Sequence, residues 1–189
     1  MLALASMATQ RRRAVHGFTL IELLVVLAMV GILVTLAVPS LRALASNQAL
    51  SHAASDFLSA TIQARATALK LNRRTIVQPI SGNDWRTGWR VYVDINTNAA
   101  YNEGVDTLVL TREALGADIL IGSLSGSDEN QSVTLFGFNG DGFLANISGS
   151  YNGSVQMQSG FTERDKIISV SRVGRGRICD KKLTPGCEP

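Results

Sequence analysis

The C-terminal part of the sequence carries a dense group of basic residues. Seven basic residues lie between Arg164 and Lys182, against two acids, whereas the stretch from Asp94 to Glu129 carries seven acids and one arginine. Arg175 and Arg177 are two positions apart, so that both side chains point to the same face of an extended strand. A pair of guanidinium groups suits phosphate oxygens, because each group presents a planar fork of N–H donors. The sequence therefore predicts an anion-binding edge near the C-terminus.

The residues around these two arginines support the same interpretation, since flanking glycines let the backbone of a ligand approach and further cations add charge. A second interpretation stays open, because arginines on an edge strand also prevent edge-to-edge aggregation. No aromatic residue is interleaved with the arginines, so stacking on nucleic-acid bases is not indicated. The candidate residues that complete the set are Gly174, Gly176, Arg172, Lys181 and Lys182.

A second candidate is a single acid inside an apolar segment. Phe18 to Val38 is about 21 residues long, which makes a helix of about 31 Å and matches a hydrocarbon core of about 30 Å. Glu22 lies within this predicted membrane span, where an ionised carboxylate costs roughly 2.5 to 3.5 kcal/mol on insertion scales. An acid in such a position usually has a function and a partner.

The residues that flank the span predict its orientation. Arg11, Arg12 and Arg13 precede it and only Arg42 follows closely, so the positive-inside rule places the N-terminus in the cytoplasm and the rest of the chain on the far side. A cleaved secretory signal is the simpler alternative, but its apolar region is usually about 7 to 15 residues long and has no need of a glutamate. The same three arginines account for the formal net charge of +3.

Two cysteines form a further candidate pair. Cys179 and Cys187 frame the segment CDKKLTPGC, which contains a Pro-Gly turn. In an exported chain this spacing predicts a disulfide that closes a small loop, although two unrelated thiols remain possible. Zinc is a weaker interpretation, because a tetrahedral site needs two more ligands and the nearby sequence offers no histidine or further cysteine.

The sequence predicts no catalytic set, metal site or cofactor site. His52 is the only histidine beyond residue 16, and the sequence contains neither a GxxxxGK[ST] nor an HExxH motif. Asp94, Asn96 and Asn98 have the spacing of the first ligands of an EF-hand loop, but Ala99 and Val105 stand where that loop needs Gly and Glu. We therefore predict a polar loop here and a protein that is not an enzyme.

The remaining sequence predicts one helix followed by a β-rich domain. Apolar residues recur every three or four positions from Leu41, which predicts an amphipathic helix over residues 40–74. Pro39 either loosens this helix or marks the end of the membrane span. The apolar period then changes to two, which predicts antiparallel strands and an α+β fold with an all-β head over residues 75–189. The predicted strands are Arg74–Ile80, Trp89–Ile95, Asp106–Leu115, Ser132–Phe138, Gly153–Ser159 and Lys166–Val173, the last of them running on into Gly174–Arg177.

The residues from Gly17 to Glu22, GFTLIE, follow a short basic leader and begin the apolar run. They resemble the type III signal of type IV pilins and type II secretion pseudopilins. This resemblance implies a leader over residues 1–17, a filament-core helix over residues 18–39, and a prepilin peptidase that cuts between Gly17 and Phe18 and methylates the new amine. It also implies that Glu22 pairs with the terminal amine of a neighbouring subunit, which keeps the acid ionised in a low-dielectric bundle.

Three further segments narrow the resemblance: WRTGWRVYVDINTN from Trp85, FGFNGDGF from Phe136 and GRGR at 174–177. Together they resemble the GspH/FimT group of minor pilins and pseudopilins. This resemblance implies a long N-terminal helix packed on two antiparallel sheets, a single-pass inner-membrane anchor with a periplasmic head, and extracellular exposure when the subunit is assembled in a pilus with other pilins.

FimT-like minor pilins carry a GRxR element at the corresponding position, and that element is implicated in binding DNA. The resemblance therefore implies sequence-independent binding of double-stranded DNA through its phosphates, during DNA uptake in natural transformation. The alternative is a structural role without DNA binding, as a pilus-priming minor pilin or as a GspH-like pseudopilin of a type II secretion system.

Overall fold

The structure is a computed structural model that describes residues 18–125, 133–145, 147 and 153–180, and for residues 123–125 the backbone alone. The chain divides into two compact units at Leu41 and Arg42. Among the described residues, one long helix, α1 (Leu20–Leu71), runs through the division, and eight strands follow it in the second unit. Gly17, Lys181, Lys182 and Cys187 lie outside the described residues.

The first unit contains the apolar half of α1. Thr19 caps the helix, because its side-chain oxygen accepts a hydrogen bond of 3.2 Å from the backbone N–H of Glu22. An 18-residue window of α1 has a mean hydropathy of 2.8 and none of it is buried in the protein, so the helix is long and apolar enough to cross a membrane. Pro39 lies inside this helix, which continues on both sides of it.

In the second unit, α1 buries one face built mostly of small residues. Its last turn ends in a Schellman motif: the N–H of Arg73 donates to the carbonyl of Ala68 at 3.2 Å, and Asn72 takes a left-handed conformation with φ of 48°. The predicted end at Arg74 was therefore wrong by three residues, because Asn72 stops the helix. The buried helical residues are Leu50, Ala53, Ala54, Phe57, Ala60, Thr61, Ala64 and Ala68.

Four strands form the first antiparallel sheet, in the order β3-β2-β1-β5. They are β1 (Thr75–Pro79), β2 (Trp89–Val93), β3 (Thr107–Arg112) and β5 (Phe136–Phe138). All four overlap predicted strands, and a 3₁₀ helix (Trp85–Thr87) precedes β2.

Four strands form the second antiparallel sheet, in the order β4-β6-β7-β8. They are β4 (Ile119–Ser125), β6 (Gly153–Ser159), β7 (Asp165–Val170) and β8 (Gly176–Asp180). The sequence did not predict β4, whose residues alternate weakly because glycine and serine interrupt the apolar ones in its second half. β7 and β8 were predicted as one last strand, whereas a tight turn over residues 171–175 separates them.

Aromatic rings fill the space between α1 and the strands. Phe57 of α1 packs edge-to-face against Trp85 and Trp89, with both ring centroids 5.1 Å away, and against Phe136 at 5.8 Å. The indole N–H of Trp85 donates to the carbonyl of Val133 at 2.9 Å, so this ring is buried with its polar group satisfied. The two tryptophans quoted in the sequence motif are thus residues of the core.

The loop between β2 and β3 is held by two buried acids. Asp94 accepts hydrogen bonds from Arg74 Nε at 2.8 Å and from the N–H of Ala99 at 3.0 Å. Asp106 accepts from the N–H groups of Ile95 at 2.9 Å and Asn102 at 2.7 Å. Both carboxylates therefore fix the backbone of this polar loop.

Candidate functional site

The turn between β7 and β8 carries the arginine pair. The N–H of Ser171 donates to the carbonyl of Arg175 at 2.9 Å, and the N–H of Gly174 donates to the carbonyl of Ser171 at 2.8 Å. The Ser171 hydroxyl lies 3.3 Å from both the N–H and the carbonyl oxygen of Arg175. Arg175 thus closes the turn, and Arg177 is the second residue of β8.

The prediction that the two arginines share one strand was therefore wrong, because Gly174 has a φ of +74° and turns the chain. Both side chains are nevertheless exposed and line the same cleft. The cleft lies between α1 and the β7–β8 turn and has a volume of about 830 Å³. Its lining consists of Ile62, Arg65, Gly153, Ser169, Val170, Ser171, Val173, Gly174, Arg175, Gly176 and Arg177.

The two glycines of the GRGR segment pack against the protein itself. A methyl group on Gly174 would lie 2.4 Å from the carbonyl oxygen of Gly142, and one on Gly176 would lie 2.4 Å from Leu58 Cδ1. These contacts give both glycines a structural role, which differs from the close approach of a ligand that the sequence indicated. They hold the arginine turn against α1 and against the loop after β5.

A third arginine reaches the cleft from the helix. Arg65 is half-buried, and its Nε donates a hydrogen bond of 2.9 Å to the carbonyl of Gly142. Arg65 is not among the candidate residues that the sequence predicted. Arg65 and Arg175 are far apart in the sequence, so the sequence alone does not indicate that they line one cleft. Only the packing of β8 on α1 brings them together.

The other predicted residues have different positions. Arg172 is exposed in the turn, where its carbonyl accepts from the N–H of Leu144 at 2.9 Å, and it does not line the cleft. Cys179 is half-buried in β8 and has no free thiol. Its predicted partner, Cys187, lies outside the described residues, as do Lys181 and Lys182. Phe18 is 84% exposed and Glu22 lies exposed in the first turn of α1.

Comparison with known proteins assigns the chain to a family. The model of the family described as type II transport protein GspH matches residues 53–174, which is well over half of the chain. The chain belongs to the GspH family. The prokaryotic N-terminal methylation motif matches residues 12–38 of this GspH-family protein, the segment that contains Gly17, Phe18 and Glu22. These matches confirm the resemblance that the sequence motifs indicated.

Two solved structures of one minor pilin confirm the fold of the GspH-family chain. The type IV minor pilin FimU of Pseudomonas aeruginosa matches with a TM-score of 0.57 and 15% identity over 74% of this chain and 95% of its own. A second crystal form of FimU gives 0.51 and 18% identity over 72% and 97%. The minor pseudopilin EpsH of the Vibrio cholerae type 2 secretion system gives 0.46 and 9% identity over 69% and 95%. No curated protein sequence matches the chain significantly.

Proposed function

We propose that this GspH-family protein is a minor type IV pilin that binds DNA through the cleft beside the β7–β8 turn. The observation that carries the proposal is that Arg175 and Arg177 line one cleft although only Arg177 belongs to a strand. Both side chains are exposed, so a phosphate backbone has access to them. Contacts of this kind read no base sequence, and their strength falls steeply with salt.

The N-terminal segment supports assembly into a filament. We propose that a prepilin peptidase cuts between Gly17 and Phe18 and methylates the new amine, since the methylation motif spans both residues. Glu22 lies in the first turn of a helix that is apolar enough to cross a membrane. Its charge is compensated when the terminal amine of a neighbouring pilin docks beside it. Before assembly the protein is a single-pass inner-membrane protein with a periplasmic head, and in a pilus the head is extracellular.

We propose further that Cys179 and Cys187 form a disulfide, which carries Lys181 and Lys182 close to the end of β8. Cys179 has no free thiol, and these are the two cysteines of the chain. The loop so formed adds two cations beside the arginines.

The second candidate function is that of a pseudopilin of a type II secretion system, or of a pilus-priming subunit, without DNA binding. The observation that favours it is the description of the matching family as a type II transport protein. In that case the arginines protect β8, which is an edge strand of the second sheet, from pairing with other chains.

One experiment separates the two functions. The full chain is purified in detergent, and its binding to a labelled random-sequence duplex is measured by gel retardation at low and moderate salt. Replacing Arg175 and Arg177 by Gln abolishes binding if the first function holds. The control is Arg164→Gln, which makes one such replacement and removes one positive charge instead of two. Arg164 is exposed and directly precedes β7, about 20 Å along that strand from the turn. A wild-type chain that fails to retard DNA favours the second function.

A further inference from the structure

Arg65 is a half-buried cation with an uncommon environment. Its Nε donates to the carbonyl of Gly142 at 2.9 Å, and within the described parts of the chain no carboxylate lies within ion-pair distance of its guanidinium. Arg74, Arg86 and Arg112 are examples of arginines with a carboxylate partner, at 2.5 to 2.9 Å. Taking a charge partly out of water is costly unless an opposite charge or a hydrogen bond compensates it. Arg65 therefore retains the capacity to bind an anion.

The orientation of this guanidinium is fixed by the fold. Besides the hydrogen bond to Gly142, its Nε and Cδ atoms pack against Gly174, since a methyl group built on that glycine would lie 2.7 Å and 2.9 Å from them. The Nε donor is used by the protein, whereas the Nη groups at the end of the fork are not held by this contact. A side chain that is already ordered loses little conformational entropy when it binds a ligand.

The cleft brings this fixed cation together with two exposed ones. Arg65 comes from α1, whereas Arg175 and Arg177 come from the β7–β8 turn and β8, and the Ser171 residue also lines the cleft. The apolar side chains of Ile62, Val170 and Val173 also line the cleft. Three arginines around one cleft suit a phosphate group, which offers several acceptor oxygens to N–H forks.

We propose that this cleft seats a phosphate of the DNA backbone and that Arg65 is its third arginine ligand. The proposal deepens the DNA-binding function proposed above and rests on it. Arg65 fixes the position of the phosphate relative to α1, while Arg175 and Arg177 close on it from the turn. The strand of DNA thereby runs along the groove between the helix and the hairpin, rather than over the outer surface of β8.

The test compares Arg65→Gln with Arg164→Gln in the full chain in detergent, with a labelled random-sequence duplex as the probe and fluorescence anisotropy as the measurement. Arg65→Gln should weaken binding about tenfold at low salt, as the loss of a charged hydrogen bond does, and should reduce the slope of log affinity against log salt by about one. Arg164→Gln should change the affinity less than twofold. Arg65→Lys keeps the charge but loses the fork, and should fall between wild type and Arg65→Gln.

A second measurement does not depend on the folding of a variant. In the wild-type chain labelled with ¹⁵N, the Nε–H resonances of arginine are followed by NMR as the same duplex is added. Shifts at Arg65, Arg175 and Arg177, with none at Arg164, support the proposal. If the duplex binds and shifts the resonances of Arg175 and Arg177 but not that of Arg65, the proposal that Arg65 is the third ligand is overturned. The proposal that the protein binds DNA then stands. If the wild-type chain binds no duplex, both proposals fail together.

Discussion

Gly174 and Gly142 touch through their backbones, so closely that a methyl group on Gly174 would lie 2.4 Å from the carbonyl oxygen of Gly142. This contact joins the arginine-bearing turn to the loop after β5, and the same carbonyl accepts the hydrogen bond from Arg65 Nε. One backbone oxygen thus positions both the turn and the helix arginine of the cleft.

The first prediction compares the two glycines of the turn. Gly174→Ala should lower the free energy of unfolding by about 2 to 4 kcal/mol, because it places a methyl group against a backbone oxygen at a positive φ of 74°. Gly176→Ala is the matched control: its methyl group meets the end of the Leu58 side chain, which can rotate, so the loss should stay below about 1 kcal/mol. Urea unfolding followed by the fluorescence of the buried Trp85 and Trp89 measures both. Equal losses would show that the backbone contact does not hold the turn.

The second prediction concerns Ser159 at the end of β6. Its side-chain oxygen accepts from the N–H groups of Phe161 at 3.2 Å and Thr162 at 2.9 Å, and it shares a hydrogen bond of 2.7 Å with the hydroxyl of Ser46 on α1. Ser159→Ala leaves these donors without their acceptor in a buried site, which should cost about 1 to 3 kcal/mol in urea unfolding.

Ser51→Ala is the control for Ser159→Ala. The Ser51 hydroxyl donates only to the carbonyl of Asn47 on the preceding turn of the same helix, at 2.9 Å. Alanine is a better helix former, so this change should leave stability within about 0.5 kcal/mol of wild type. A loss at Ser159 no larger than the one at Ser51 would contradict a fastening role.

The third prediction is a pH dependence that originates at Tyr92. Burial, followed by the charges of Asp94 and Asp106, raises the pKa of this phenol well above its usual value, and its O–H donates to Gln78 at 3.0 Å. The unfolded chain ionises its tyrosines near pH 10, whereas folded Tyr92 stays neutral. The contribution of this group to stability is therefore complete below about pH 10 and declines as the pH rises beyond it.

Tyr92→Phe tests this dependence. At neutral pH the variant should be less stable by about 1 kcal/mol, because a hydrogen bond is lost. Between about pH 10 and 11 the difference from wild type should shrink. In this range Tyr92 of the unfolded wild-type chain ionises, which lowers the stability of the wild type, whereas phenylalanine has no group that titrates. Urea midpoints measured from pH 8 to 11 give the comparison. A difference that stays constant over this range would mean that the pKa of Tyr92 is not raised.

The fourth prediction tests the assembly role proposed for Glu22. Glu22→Gln keeps the shape of the side chain and lowers the cost of membrane insertion, but it removes the charge that pairs with the neighbouring amine. The variant should accumulate in the membrane fraction and be missing from sheared filaments. Thr35→Val is the control within the same apolar half of the helix, since the Thr35 hydroxyl donates only to the carbonyl of Ile32 at 2.7 Å. Normal incorporation of Glu22→Gln would exclude the pairing.

Much of the fold was predictable because its signals are local. The switch from a period near 3.6 to a period of two marks where α1 gives way to strands, and the GspH family match confirms the group that the motifs indicated. The strand β4 was missed because serine and glycine dilute its alternation, although Ile119 is buried and pairs with Ser159. The separation of β7 from β8 was missed because the turn depends on Gly174 at a positive φ, which looks the same in sequence as a glycine in a strand.

The candidate site was predictable only in part. Arg175 and Arg177 are close in sequence, so their shared surface could be expected, although the reason given for it was wrong. Arg65 could not be found in this way, because its proximity to the turn results from packing between elements that are far apart in the chain. The tryptophans near the start of β2 show the converse: they stand out in sequence, yet they serve the core and not a binding surface.

The hairpin that carries two of the three cleft arginines ends in β8, at the outer edge of its sheet. The exposed residues of an edge strand can be substituted while the buried aromatic rings around Phe57 keep their arrangement. Changes to the exposed surface of this edge strand therefore need not disturb the packing that holds the sheet against α1.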